Sequence, residues 1–157
     1  MKVKPIHYGY VFLAAGASNR AKIYPDRFIS LLVRILGLSR ISHCAFSCDH
    51  VVLQVAMVGT RFYAIHDYID IYPNLSCIYR IKMDGLPRLQ RFEDGIGVRG
   101  RIWPTMRRWL LHGNCEPMRR DCLGSVVHCL RAGGFKISPK TYTIRELIRT
   151  LERSSDV

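Results

Sequence analysis

The chain has 157 residues and carries 24 Lys and Arg against 12 Asp and Glu, which gives a formal net charge of +12 at pH 7. Its hydrophobic content of 48% excludes an intrinsically disordered protein, and its length fits one domain over residues 1–157. No apolar run reaches the ~18 residues that a membrane-spanning helix needs, so no transmembrane segment is expected.

Five short apolar runs are predicted to form strands, at residues 8–15, 43–48, 51–58, 61–65 and 76–83. Asp49 and His50 separate the second run from the third, and the later runs are spaced as in a meander. Between the first two runs, Asp26 is placed to cap a helix that Gly37 ends, because apolar residues recur there at helical spacing.

Three further helices are predicted in the C-terminal half. Pro104 is suited to the first turn of one helix, and Asp121 is placed to cap the next, at residues 122–130. A glycine pair at 133–134 ends that helix, and a T-x-x-E capping box at 143–146 begins the last one. These elements indicate an α+β fold in which an antiparallel sheet of about four to six strands packs against helices.

The cysteine content bears on compartment and cofactor. The six cysteines are Cys44, Cys48, Cys77, Cys115, Cys122 and Cys129. A chain of this length builds a core without disulfides, and its N-terminus only loosely imitates a signal peptide, so we expect free thiols, a cytoplasmic location and no secretion. A zinc site from Cys44, Cys48, Cys115 and a histidine is disfavoured because the chain has no CxxC pair. No metal or other cofactor is therefore expected.

Two residues are candidates for nucleophilic chemistry. Cys122 lies at the predicted start of a helix, where the partial positive charge lowers the pKa of a thiol. His43 opens an earlier strand, and an imidazole that faces a thiol takes its proton and activates it. The alternatives are structural, with Cys122 as a small core residue and His43 as a core histidine.

The order of these elements resembles the circularly permuted papain-like superfamily, the permuted branch of the NlpC-type cysteine peptidases and amidases, which includes lecithin–retinol acyltransferase-like enzymes. The resemblance rests on residues 8–12 (YGYVF) as the opening strand, 39–43 (SRISH) as the histidine motif and 121–122 (DC) as the nucleophile motif. The tail that begins at 132–135 (AGGF) is similar to the end of bacteriophage members. The resemblance implies a permuted papain-like fold, and a host cytoplasm or virion location if the protein is encoded by a phage.

The resemblance also implies a third polar residue on the strand after the histidine strand. Gln54 occupies that place, where relatives often carry Glu, His or Asn. Its amide oxygen would accept a hydrogen bond from the imidazole and hold the useful tautomer, although a neutral amide stabilises an imidazolium less than a carboxylate does. His50 and the pair His66–Asp67 compete for this role.

The resulting prediction is a cysteine hydrolase or acyltransferase that acts on a peptide, acyl or amide substrate through an acyl-enzyme, with Cys122 as nucleophile and His43 as base. One alternative is a catalytically weak papain-like scaffold that serves as a phage binding or structural protein. The other is a basic domain that contacts nucleic acid or another anionic polymer through an arginine-rich surface. The arginines in question are Arg99, Arg101, Arg107, Arg108, Arg119 and Arg120, with more along the C-terminal helix.

Overall fold

The computed structural model describes residues 5–15, 31, 35, 40–56, 59–72, 74–89, 122–139, 141 and 143–154. Of the helix predicted before Gly37, Leu31 and Ile35 are described, and both are helical. The predicted helix at Pro104, the Asp121 cap and the arginines between positions 99 and 120 lie outside the described residues.

Five strands form one antiparallel sheet in the order β4-β3-β2-β1-β5. They are β1 (His7–Ala14), β2 (His43–Cys48), β3 (Val51–Ala56), β4 (Gly59–Ala64) and β5 (Leu75–Met83). Strands β1 to β4 follow one another as a meander, but β5 pairs with β1 at the opposite edge of the sheet. The expected meander is therefore wrong for the last strand, and the predicted α+β class and strand number are confirmed.

A helix that the sequence did not predict explains the position of β5. Helix α1 (Ile65–Ile71) follows β4 directly and leads to β5, which starts opposite Ala14 of β1. Because β4 and β5 are the two edge strands, α1 carries the chain across one face of the sheet. Three of its seven residues are isoleucine, whose branched side chain lowers helix propensity, so the segment resembled the end of a strand.

The two faces of the sheet pack against different helices. The inner face contains Cys44, Phe46 and Cys48 of β2, which share one core with α2 (Cys122–Ala132) and α3 (Ile144–Ser154). The α1 face contains His43, Ala45 and Ser47, because side chains alternate along a strand. Ala45 packs there with a second core cluster: Phe12, Ala14, Val52, Tyr68, Ile71 and Tyr72.

The predicted turn and capping signals have the expected local structure. Asp49 and His50 join β2 to β3 with φ angles of 49° and 63°, the left-handed conformation of a two-residue hairpin turn. Gly134 ends α2 with a φ of 85°. At the start of α3, the Glu146 N–H donates to the Thr143 hydroxyl and the Thr143 N–H donates to the Glu146 carboxylate, which completes the capping box.

In the part of the chain that the structure describes, no helix is long and apolar enough to cross a membrane.

Candidate active site

The candidate site lies where β2 and α2 both begin. Cys122 packs against the inner-face core that holds Cys44. Cys48 lies close enough to Cys129 to raise the pKa of the Cys129 thiol. The seven residues from Cys122 to Cys129 span about 10 Å along α2, and the four residues from Cys44 to Cys48 span about 13 Å along β2. The helix therefore runs alongside the strand. This alignment places the first residue of the helix beside the first residues of the strand.

The structure brings His43 and Cys122 together. The His43 imidazole lies close enough to Cys122 to lower the pKa of its thiol, and both residues are half-buried. His43 is the first residue of β2. Its side chain is on the α1 face, but it reaches the start of α2 because no strand residue precedes it. The fold thus places these two residues, which are almost eighty positions apart in the sequence, beside each other.

The pKa of the Cys122 thiol is held well below its ordinary value. The largest cause is a hydrogen bond from the Cys44 thiol, which opposes the effect of burial. The hydrogen bond to His43 and the positive charge of its imidazolium lower the pKa further, as does the backbone N–H of Cys44, which donates to the Cys122 sulfur. Four separate interactions therefore favour the thiolate at this position.

Three other described cysteines shift in the opposite direction. Burial raises the pKa of Cys129 to about 12, with a smaller contribution from Cys48, and burial also raises the pKa of Cys48 and of Cys77. The contrast with Cys77 is the most informative because its side chain is half-buried, like that of Cys122. Partial exposure alone does not produce a reactive thiolate in this protein.

A buried tyrosine holds the His43 ring from its other side. The Tyr72 ring stacks on the imidazole with a centroid distance of 5.1 Å and an angle of 8° between the planes. Tyr72 is only 5% exposed, so the contact fixes the ring plane of His43. The face of an aromatic ring is electron-rich, and it stabilises a cation placed over it, which here is the imidazolium.

Gln54 lies on the same face of the sheet as His43. The register pairs Leu53 with Phe46, which places Gln54 opposite Ala45 and on the diagonal from His43. The Gln54 amide oxygen and the His43 Nε2 atom are both buried, and neither has a hydrogen-bond partner among the residues that the structure describes. An unpaired buried polar group costs about 1–3 kcal/mol. A Gln54 rotamer that pairs its amide oxygen with the His43 Nε2–H is therefore favoured.

Two further polar atoms on the α1 face are also buried. The Ser47 and Tyr68 hydroxyls are buried without a hydrogen-bond partner among the described residues. The pKa of Tyr68 is raised well above its ordinary value, first by burial and then by Tyr72, Cys44 and Cys122, so its phenol stays protonated and keeps its proton to donate. The α1 face therefore holds a buried group of polar side chains beneath the site: His43, Ser47, Gln54 and Tyr68.

The competing candidates for the third residue lie elsewhere. His50 is exposed in the turn that follows β2, at the opposite end of the strand from His43. His66 lies in the first turn of α1, which starts at that same distant end, and its Nε2 atom is 3.2 Å from the Asp67 carboxylate. Both His66 and Asp67 are largely exposed. The fold thus leaves Gln54 as the candidate nearest to the imidazole.

No family model and no curated protein matches the chain.

The described part of the chain shows no group of three His, Cys, Asp or Glu side chains that could hold a metal ion.

Sequence reasoning missed three residues of this site. Cys44 is a buried core cysteine, and its thiol and backbone N–H both lower the pKa of Cys122. Tyr68 lies in the helix that was not predicted, and Tyr72 directly follows its last residue. Their four-residue spacing, which puts two aromatic rings on one helix face, is the signal that could have found them.

Proposed function

We propose that this chain is a papain-like cysteine hydrolase or acyltransferase of the circularly permuted type, with Cys122 as its nucleophile and His43 as its general base. The observation that carries the proposal is the proximity of the two side chains at the start of α2, where His43 lowers the pKa of Cys122. The order of the histidine strand and the cysteine helix supports the permuted arrangement. The carbonyl substrate would be an amide, an ester or a thioester.

In the proposed reaction, His43 accepts the proton of Cys122 and the thiolate attacks the carbonyl carbon of the substrate. The first N–H groups of an α-helix have no carbonyl partner within it, so those at the start of α2 are placed to stabilise the oxyanion. The His43 imidazolium then protonates the leaving group. Water or a second nucleophile, activated by His43, releases the acyl group and restores the thiolate.

Gln54 is proposed as the residue that orients His43. Its amide oxygen would accept a hydrogen bond from the Nε2–H, which leaves the other ring nitrogen facing Cys122. The stacked ring of Tyr72 contributes the stabilisation of the imidazolium that a neutral amide does not supply. An enzyme with this triad is expected to be active without a carboxylate in the third position.

The non-catalytic alternative, a papain-like scaffold that binds a partner, predicts the opposite chemical behaviour. A site that has lost catalysis has no need of a low thiol pKa, and Cys122 would then react no faster than Cys77. The nucleic-acid-binding alternative depends on the arginines between positions 99 and 120, which lie outside the described residues, and on Arg145, Arg149 and Arg153, which are exposed on α3.

The test uses p-nitrophenyl acetate, an activated ester that acylates nucleophilic thiols irrespective of natural substrate. We expect rapid release of p-nitrophenolate, an acetyl group on Cys122 identified by mass spectrometry, and its slow loss as the enzyme turns over. Cys122→Ala and His43→Ala should abolish the acylation of that site, whereas the matched control Cys77→Ala should retain it. Acetylation confined to lysines, or equal at Cys122 and Cys77, would overturn the proposal.

A further inference from the structure

Helix α1 covers the middle of the sheet with a tyrosine ring. The centroid of the Tyr68 ring is 5.4 Å from that of Phe12 on β1 and 6.1 Å from that of Tyr63 on β4. Strands β2 and β3 lie between β1 and β4 in the sheet. A ring that is close to both flanking strands therefore lies over the two strands between them. In agreement, Tyr68 shares its core cluster with Ala45 of β2 and Val52 of β3.

The residue beneath the Tyr68 ring on β2 is small, and its neighbours are polar. On the same face of β2, His43 and Ser47 lie two positions before and after Ala45. Gln54 of β3 lies opposite Ala45 in the strand register, and therefore on the diagonal from both His43 and Ser47. Because the methyl group of Ala45 projects only a short way from the sheet, it does not fill the space that these larger side chains surround.

Three buried oxygen atoms face this space without a direct bond to one another. The Ser47 and Tyr68 side chains have no exposed surface, and Gln54 is only 5% exposed. The two hydroxyl oxygens and the Gln54 amide oxygen have no hydrogen-bond partner among the residues that the structure describes. In protein interiors, polar atoms of this kind are joined by a buried water, which makes about three hydrogen bonds to them.

We infer that one internal water molecule binds over Ala45 and joins the hydroxyls of Ser47 and Tyr68 to the amide oxygen of Gln54. The two O–H groups donate to the water, and the water donates one of its hydrogens to the Gln54 oxygen, so each of the three atoms gains a partner. The second lone pair of the Gln54 oxygen is left to accept the hydrogen of the His43 Nε2 atom.

This network makes Tyr68 a positioning residue for His43. The water holds the Gln54 oxygen toward the imidazole, so that Nε2 keeps its hydrogen and the other ring nitrogen faces Cys122. Tyr72 holds the same imidazole by its face, since its ring centroid is 5.1 Å from that of His43 and 4.8 Å from that of Tyr68. One tyrosine thus fixes the plane of the imidazole and the other its tautomer. The consequence for catalysis rests on the proposed function, whereas the water site and the tautomer do not.

The first measurement is a crystal structure of the unmodified chain at a resolution that shows ordered water. We expect one water molecule about 2.5–3.0 Å from the Ser47, Gln54 and Tyr68 oxygen atoms. Hydrogen bonds from both hydroxyls directly to protein groups, with no water between the three atoms, would overturn the inference. This measurement needs no variant, so it decides the question even if a substitution misfolds.

The second measurement follows the tautomer of His43 by proton–nitrogen correlation NMR in Tyr68→Phe, which removes one hydroxyl and keeps the ring. We expect the Nε2–H tautomer in the unmodified chain. In Tyr68→Phe the ratio should shift toward the other tautomer by roughly two- to tenfold, the effect of one ordinary hydrogen bond. The matched control Tyr63→Phe removes a hydroxyl from the neighbouring ring on the same face and should leave the ratio unchanged. Equal shifts in both variants, or no shift in Tyr68→Phe, would count against the network.

A double variant shows whether Tyr68 acts through Gln54. In a Gln54→Leu background, Tyr68→Phe should cause no further change in the tautomer ratio, because the acceptor that it positions is gone. A shift of the same size in both backgrounds would mean that Tyr68 supports only the packing of the sheet face, and the positioning role would then be wrong.

The outcomes separate this inference from the proposed function. The expected tautomer shift without acylation by p-nitrophenyl acetate would support the network and refute the hydrolase. Acylation of Cys122 with an unchanged tautomer ratio in Tyr68→Phe would refute the network and leave the nucleophile intact.

Discussion

Replacement of His43 by alanine tests the relation between the imidazole and the thiol. The substitution removes both the hydrogen bond and the positive charge that lower the pKa of Cys122, and it leaves the contributions of the Cys44 thiol and N–H in place. We therefore expect the pKa of Cys122 to rise toward its ordinary value of 9.0 without reaching it. The thiolate population at neutral pH should fall.

The expected size of the effect follows from the thiolate population. A thiol with a pKa of 9.0 is about 1% ionised at pH 7, so lowering the pKa raises that population by at most about 100-fold. A hydrogen bond to a charged group contributes about 1.5–3 kcal/mol, which corresponds to a change of roughly 10- to 100-fold in the population. A more acidic thiolate is also a weaker nucleophile, with a Brønsted slope of about 0.4–0.5. The net loss of alkylation rate at pH 7 should therefore be several-fold and below about tenfold.

The assay measures the rate of iodoacetamide labelling at Cys122 from pH 5 to pH 10 in both proteins. In the unmodified chain the labelling rate should reach its plateau well below pH 9, because the folded state lowers the pKa. In His43→Ala the rate should be slower at pH 7 and faster at pH 10, since the more basic thiolate is the better nucleophile once both thiols are ionised. The two curves should cross.

Cys77 serves as the internal standard, because it is half-buried and its pKa is raised. Its labelling should be slow at pH 7 and identical in both proteins. A His43→Ala curve that lies below the other at every pH would mean that the substitution changes access to Cys122 rather than its pKa. Identical curves would refute the pairing altogether.

Three substitutions test other parts of the structure. Thr143→Ala removes the hydroxyl that accepts the first hydrogen bond of the α3 capping box and should lower the free energy of unfolding by about 1 kcal/mol in urea titrations, with Thr143→Ser near neutral. Gly134→Ala forces a side chain into a φ of 85° and should cost about 1–2 kcal/mol, whereas Gly85→Ala, where an added Cβ meets nothing within 4 Å, should cost little; equal losses would contradict the conformational argument. Gln54→Leu removes a buried amide whose oxygen has no hydrogen-bond partner among the described residues, so the unfolding free energy should hold or rise while Cys122 labelling at pH 7 slows; a variant that is destabilised with unchanged labelling would mean that Gln54 has a structural role only.

The sequence by itself determined the local elements and the two candidate residues of the proposed site. The turn at Asp49 and His50 and the capping box at Thr143 were predictable because each depends on side chains a few positions apart. His43 and Cys122 could be chosen because each opens its element, and an element's first residue is defined by local signals. The chain also carried enough apolar residues in short runs to indicate an α+β protein with an antiparallel sheet.

Tertiary structure alone decided what surrounds those two residues. Helix α1 forms against the sheet despite its branched side chains, because burial of Tyr68 and Ile71 outweighs a weak local preference. Its path across the sheet moves β5 to the far edge, places Tyr72 on the imidazole of His43 and leaves His66 in solvent. The effect of Cys44 on the pKa of Cys122 likewise depends on how α2 lies along β2. A pattern of neighbouring residues predicts on which face of a strand or helix a side chain lies. The residue that it contacts on that face comes from a distant part of the chain and is determined only when the two surfaces pack.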